Sequence, residues 1–242
     1  MNGMKKISAF VGIIITLTVI GNQYAVAQSI HWGITGGLNL SSHINKFRYS
    51  EDDINLNLSP NITSDFQAGL IARKSLSPSF RLQMEPSIMV LGAYYDETFM
   101  LRGFEFNTSS RTKLMYLRLP VLFQLSTMPR QKKVYGRQFA STTYHLTGGF
   151  FGGYLLDAHF TGTNTGAPVG IPFEGDFSND ITSQYSSYDG GIIFGAGFEH
   201  GYNHKIGFET RAQYSFLNSG ENRDSNFHPR NIAITLSMYF LL

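Results

Sequence analysis

Cysteine is missing from all 242 residues, and charged side chains make up only 15% of them. Without cysteine there is no disulfide framework, no thiolate metal site, no thiol nucleophile and no lipid-modified N-terminal Cys. Long apolar runs are scarce too. The one extended run, Ile7 to Ile20, spans 14 residues, short of the roughly 20 that a membrane-spanning helix needs. What the chain does have is 20 Phe, 13 Tyr and 25 Gly, a composition that excludes global disorder. Length and the absence of any composition shift indicate a single all-β domain.

Residues 1–27 read as an export signal, with Lys5 and Lys6 ahead of the Ile7–Ile20 run and Ala25-Val26-Ala27 behind it. Cleavage there leaves Gln28 first and a domain of residues 28–242. It removes two of the 19 basic residues and none of the 17 acidic ones, so the remaining chain carries equal numbers of each sign. The pI near 8.7 therefore overstates its basicity, and no electrostatic argument points to a nucleic-acid partner.

Beyond the signal, the recurring pattern is alternation with a period of two. Eight segments carry it: 31–40, 66–75, 80–93, 112–125, 143–156, 187–199, 205–217 and 231–242. In the seventh, Ile206, Phe208, Thr210, Ala212, Tyr214 and Phe216 fall on one face, with Gly207, Glu209, Arg211, Gln213 and Ser215 on the other. Across the set, one face is bulky and apolar: Trp32, Ile34, Leu38, Leu40; Phe80, Leu82, Met84, Ile88, Val90; Met115 to Leu125 at every second position; Ile192, Phe194, Phe198; Ile232 to Leu242 likewise. The opposite face reads as small or polar. An eight-stranded barrel has an interior just wide enough for side chains to fill, so the bulky set would overpack it and must look outward, into lipid. Segments of about ten residues also suit tilted membrane-spanning strands, which need roughly 9–11. The sequence thus predicts an eight-stranded antiparallel up-and-down transmembrane β-barrel of the bacterial outer membrane.

The connections run about 25, 4, 18, 17, 30, 5 and 13 residues. Long external loops alternating with short periplasmic turns are expected of such barrels, and the odd-numbered connections are the long ones. The fourth, 126–142, is too long for a turn and indicates a shifted strand boundary or, preferably, a basic periplasmic protrusion around Arg130, Lys132 and Lys133.

Five segments in order resemble one family. His31-Trp32-Gly33-Ile34-Thr35-Gly36-Gly37-Leu38-Asn39-Leu40-Ser41, Phe80-Arg81-Leu82-Gln83-Met84-Glu85-Pro86-Ser87, Tyr116-Leu117-Arg118-Leu119-Pro120-Val121-Leu122, Ala196-Gly197-Phe198-Glu199 and Phe208-Glu209-Thr210-Arg211-Ala212-Gln213-Tyr214-Ser215 look like strands one, three, four, six and seven of the PorT-like outer-membrane β-barrel family. The resemblance spans the chain beyond the signal. It implies a porin-like eight-stranded outer-membrane protein, with a named member associated with secretion of proteins across that membrane.

Strand alternation turns Arg73, Arg81, Glu85, Arg118, Glu199, Glu209 and Arg211 inward, with Gln67, Gln83, Gln124 and Gln213. Buried charges must be paired, so these residues read as a structural ion-pair network filling the lumen, in which Glu85 and Glu209 each meet an arginine. Catalysis would need a nucleophile, a base and an orienting group together. Ser141, His145 and Asp157 are the tempting set, but His145 and Asp157 stand at opposite ends of the fifth strand. His200 and His204 have helical metal-ligand spacing in what is a turn, and the glycines of 190–197 lack the Lys-Ser/Thr of a phosphate loop. No catalytic, cofactor or metal site is expected.

Partner contacts are expected on outer-membrane lipid and through the external loops 41–65, 94–111, 157–186 and 218–230. The third, with Gly162, Gly166, Pro168, Gly170, Pro172 and Gly175, reads as irregular. Tyr94, Tyr95, Tyr154, Tyr188, Tyr202 and Trp32 lie near strand ends, where interfacial aromatic girdles belong. Two functions follow: a non-catalytic structural or interaction component, secretion-associated as the resemblance implies, or an outer-membrane lipid-modifying hydrolase or acyltransferase.

Overall fold

The computed structural model describes residues 30–44, 47–51, 54–101, 104–128, 133–134, 137–138, 140–167, 171–217 and 229–242. The export signal, the basic residues Arg130 and Lys132, and most of loop 218–230 lie outside the described residues.

The strands are β1 (Ile30–His43), β2 (Phe47–Glu51), β3 (Ile54–Leu58), β4 (Thr63–Ser75), β5 (Phe80–Met84), β6 (Ser87–Leu101), β7 (Phe104–Ser126), β8 (Lys133–Val134), β9 (Arg137–Gln138), β10 (Ser141–Gly166), β11 (Phe173–Asp180), β12 (Tyr188–Gly201), β13 (Lys205–Ser215) and β14 (Asn231–Leu241). The ring runs β1, β4, β5 with β6, β7, β10, β12, β13, β14 and back to β1. Closure is made by β1 and β14, antiparallel from Gly33↔Leu241 to His43↔Asn231. β5 and β6 form one wall strand, interrupted where Pro86 lacks an N–H. The break keeps its hydrogen bonds, because Glu85 N donates to Pro120 O at 3.1 Å and Leu70 N donates to Pro86 O at 3.0 Å. Eight wall strands result, all antiparallel, as the alternation indicates.

Side-chain direction follows the period of two. Ile34, Leu38, Phe194, Phe208, Ile234, Leu236 and Met238 are exposed on the outer wall, while Asn39, Arg211, Thr235 and Ser237, their neighbours in sequence or register, are buried. On β7 the outward residues from Leu125 to Met115 are apolar, and Lys113 and Arg111 follow. Ten residues at about 3.3 Å each, tilted by about 40°, rise roughly 25 Å, the height of an outer-membrane barrel's apolar band. No helix among the described residues is long and apolar enough to cross a membrane; the strands do so.

Four expectations need correction. The inward face is not uniformly small or polar: in the external half Met89, Leu91, Leu114, Tyr116, Leu155 and Ala158 cluster with Ile181 and Tyr185. Ile88-Met89-Val90-Leu91 is apolar at consecutive positions because one face meets lipid and the other this dry core. Val90, expected outward, is 5% exposed; it lies in register with the larger Met115. Tyr95, expected in a girdle, turns inward, where its hydroxyl meets His43 Nδ1 at 2.8 Å.

The fourth correction concerns the external loops. Segment 157–186 is not irregular: β10 continues to Gly166, and β11 folds back along it from His159↔Asp180 to Gly166↔Phe173. Segment 94–111 is likewise the top of β6 and β7, paired out to Leu101↔Phe104, and segment 41–65 contains the β2–β3 hairpin. Thr161, Thr163 and Thr165 supply β-branched strand formers there, and β7 offers a template, pairing with β10 as far as Phe106↔Gly166. Backbone pairing therefore overrides the glycine content. At the periplasmic end, β7 stops at Ser126 and β10 starts at Ser141, so the wall is not shifted, and the intervening chain carries the small β8–β9 hairpin.

Candidate functional site

Three tiers fill the bore, built from opposite walls. Nearest the periplasmic end, Glu199 on β12 accepts five hydrogen bonds from five other strands. Arg73 Nη1 lies at 2.6 Å, Arg81 Nη1 at 2.7 Å, Lys205 Nζ at 2.8 Å, Thr143 Oγ1 at 3.1 Å and the Tyr239 hydroxyl at 3.2 Å. Tyr239 reaches Glu199 because its register partner is Gly207: a Cβ there would lie 2.1 Å from the tyrosine ring. The same ring underlies the Arg73 guanidinium, 5.0 Å from its centroid.

Gln83 links this tier to the next, accepting from Arg73 Nε and donating to Glu85. Glu85 forms a bidentate pair with Arg211, whose Nη2 lies 2.6 Å from Glu85 Oε1. The same Nη2 donates to Glu209 Oε2 at 2.8 Å. The fork matches carboxylate geometry and holds two anions at once. Gly195 stands opposite Arg211 in register, and a Cβ on it would come 2.9 Å from the arginine Cγ, so the missing side chain makes room for the guanidinium.

Arg118 occupies the third tier. Its Nη1 donates to Gln213 at 2.7 Å and its guanidinium lies 3.4 Å from the Phe151 ring centroid, a cation–π contact in a desolvated setting. From Gln213 the bonds continue through Thr235 to Asn39. Sequence reading missed Asp189, a fourth buried anion whose carboxylate accepts from Ser215 at 3.0 Å and acts electrostatically on Arg118. It shares parity with Glu199, which was the available clue, but it sits at the strand boundary beside two glycines. With it, the four buried arginines face four buried carboxylates, and Lys205 adds a partly exposed cation at the rim.

The structure brings all seven inward charges into the bore, and it separates the tempting triad. His145 is buried, with Nε2 3.6 Å from Glu209, and neither ring nitrogen has a hydrogen-bond partner among the described residues. A β-bulge between Leu155 and Asp157 reverses parity, so Asp157 faces outward and pairs with His159 at 3.1 Å. The bulge also leaves both Leu155 and Ala158 inward, under the cap. Ile181 N donates to Ala158 O at 2.9 Å, and Leu155 N to Ser187 O at 2.9 Å, which draws Ile181 and Tyr185 over the external mouth. A water-filled bore would expose the inward side chains; Gln83, Gln124 and Arg118 are each no more than 2% exposed.

The structure is similar to the crystal structure of Ail, the attachment invasion locus protein of Yersinia pestis, at 12% identity and a TM-score of 0.34, over 88% of this chain and 99% of that one. The same protein in complex with the heparin analogue sucrose octasulfate gives 12% identity and a TM-score of 0.32 over the same shares. A loop-deletion mutant of OmpT, an outer membrane protein of Vibrio cholerae, gives 11% and 0.11, over 88% of this chain and 100% of that one. Comparison with curated proteins gives no match. The outer membrane protein beta-barrel domain family matches residues 26–220, most of the sequence, and this chain belongs to that family, a β-barrel of the bacterial outer membrane.

Proposed function

We propose that this protein is a non-catalytic interaction component of the outer membrane, secretion-associated in the manner of the PorT-like family that its strands resemble, and that it meets a protein partner through its external β-extension. The observation that carries the reading is a filled bore beneath a projecting sheet. Charged tiers and the Ile181–Tyr185 cap leave the bore no room for transport. Meanwhile β6, β7, β10 and β11 continue past the apolar band, and β11 ends the sheet order, with Phe173 50% and Ile171 70% exposed beside it. An unpaired strand edge with apolar residues is a template for strand addition by a partner.

The test is cross-linking and affinity capture from intact outer membranes, comparing the full chain with a variant in which 162–178 is replaced by a short Gly-Ser turn. The same protein partner captured by the full chain and lost from the variant is the expected result. Identical capture by both overturns the assignment to this sheet. Turnover of phospholipid or lipid A by the purified barrel would overturn the non-catalytic reading.

A further inference from the structure

β11 ends the sheet order, and among the described residues no strand pairs with its free edge. Its eight residues, Phe173–Asp180, span roughly 27 Å at about 3.4 Å each. Alternate residues turn their N–H and C=O away from β10, and Pro172, which has no N–H, marks where the usable edge begins. Natural edges are commonly blunted by lysine. Here there is none, because no Lys or Arg occurs between Arg137 and Lys205.

The two faces of β11 differ in kind. Glu174, Asp176 and Asp180 alternate onto the outer face, all exposed, and Asp176 Oδ1 accepts from Thr163 Oγ1 of β10 at 2.6 Å. Register sets Ser178 opposite Thr161 and Asp180 opposite His159, which in turn stand opposite Arg111 and Lys113 of β7. These cations are thus two strands away, roughly 10 Å, and Arg111 is already held by Asp65 at 2.7 Å. Among the described residues, the acidic row has no Lys or Arg on the strand beside it. Phe173 and Phe177 alternate onto the inner face. Phe173 lies over Gly175, where a Cβ would come 2.9 Å from its ring, and Phe177 lies over Gly162 of β10, where a Cβ would come 2.7 Å away. The Phe177 ring centroid is 5.3 Å from that of Phe160. The glycines make room for the rings to fold down over the sheet, and the inner face of the edge is an aromatic shelf.

We propose that the partner strand added to β11 is an extended segment with Lys or Arg at alternate positions and apolar residues between them. This rests on the strand-addition reading above and adds the chemistry of the partner. Opposite charges paired across strands stabilise a ladder, and like charges directly opposite destabilise it. A row of three carboxylates therefore selects cations on the outer face, while the aromatic shelf selects apolar side chains on the inner one. The same rule disfavours a second copy of this chain, since pairing two β11 edges would set one acidic row against the other.

The test uses the full barrel purified in detergent and fluorescence anisotropy of labelled eight-residue peptides. One alternates valine and lysine, one alternates valine and glutamate, and one has four lysines followed by four valines. Saturable binding of the alternating valine-lysine peptide is expected, with at least tenfold weaker binding of the other two. Methylating the backbone nitrogens of either alternate set of its residues gives two further peptides, and only the one whose methyl groups point at β11 should lose binding. Glu174→Gln with Asp176→Asn changes exposed side chains only, so folding is spared, and affinity should fall about fivefold, the worth of two cross-strand charge pairs. Asp180 is kept, since its carboxylate also accepts from Thr182 N at 2.8 Å. No binding of the valine-lysine peptide, equal binding of the valine-glutamate peptide, equal binding of both methylated peptides or undiminished affinity of the double variant would each overturn the proposal; a native partner lost on replacing 162–178 would still keep the sheet reading. Equal binding of the valine-lysine peptide by the full chain and by the 162–178 replacement would overturn both.

Discussion

Replacing Arg211 by methionine isolates the energetics of the bore. Methionine keeps an unbranched apolar stem and removes the fork that holds Glu85 and Glu209, which are 2% and 3% exposed. Breaking a buried pair by deleting one partner costs about 3–5 kcal/mol, because the other charge stays desolvated. Here two carboxylates are orphaned. Glu85 keeps the Gln83 amide, whereas Glu209 keeps only His145 at 3.6 Å, so Arg211→Met is expected at the upper end, about 5 kcal/mol. Trp32 is the single tryptophan and lies on the outer wall at 48% exposure, which makes its emission a native reporter of insertion. Urea unfolding in lipid vesicles, followed by that emission, measures the loss. Adding Glu85→Gln and Glu209→Gln to Arg211→Met should recover most of it, since neutral amides carry a far smaller desolvation penalty. A loss below about 1 kcal/mol, the scale of a solvated surface pair, would refute the dry-network reasoning.

Gly207→Val should also be damaging, though less so than the charge deletion, because the added Cβ claims the space of the Tyr239 ring and breaks its bond to Glu199. Overpacking plus one lost buried hydrogen bond gives about 2–4 kcal/mol in the same unfolding assay, and Tyr239→Ala in the same chain should relieve part of it. At the cap, the hydroxyl and backbone N–H of Thr182 hold the exposed Asp180 carboxyl below its ordinary value of 3.8. A depressed folded pKa contributes stability that is full above the unfolded value and fades as pH falls through the folded one. Amide-exchange protection at Thr182 should therefore hold from neutral pH down to about 4 and decline only below that, while Asp180→Asn abolishes the dependence; a decline beginning near pH 6 would contradict the assignment.

Most of the wall was legible because a tilted lipid-facing strand leaves a strict parity: Phe208 and Arg211 sit on opposite faces for reasons visible in seven residues of β13. The inward charges followed from the same parity. Asp189 lies inside segment 187–199 with the parity of Glu199, and was passed over beside Gly190 and Gly191. Parity failed where the environment changed along a strand. In the external half of the wall, β6 and β7 have a protein core behind them, so Met89, Leu91 and Leu114 could be apolar and inward. The bulge at Leu155/Asp157 then reversed faces within β10, which alternation cannot announce. The external hairpin was read as irregular because glycine and proline count against strands locally, whereas its pairing with β7 is set by residues some 50 positions earlier in the chain.

The orientation of the apolar face is the claim on which membrane seating and the lumen network both depend. Because the chain has no cysteine, single cysteines at Phe194, Phe208 and Leu236 can carry nitroxide labels without background, and their collision rates with oxygen and with a water-soluble nickel chelate can be measured in vesicles. Labels in the acyl region should be strongly relaxed by oxygen and barely by nickel at all three sites; labels shielded from both reagents would mean that these side chains meet at the centre of the barrel.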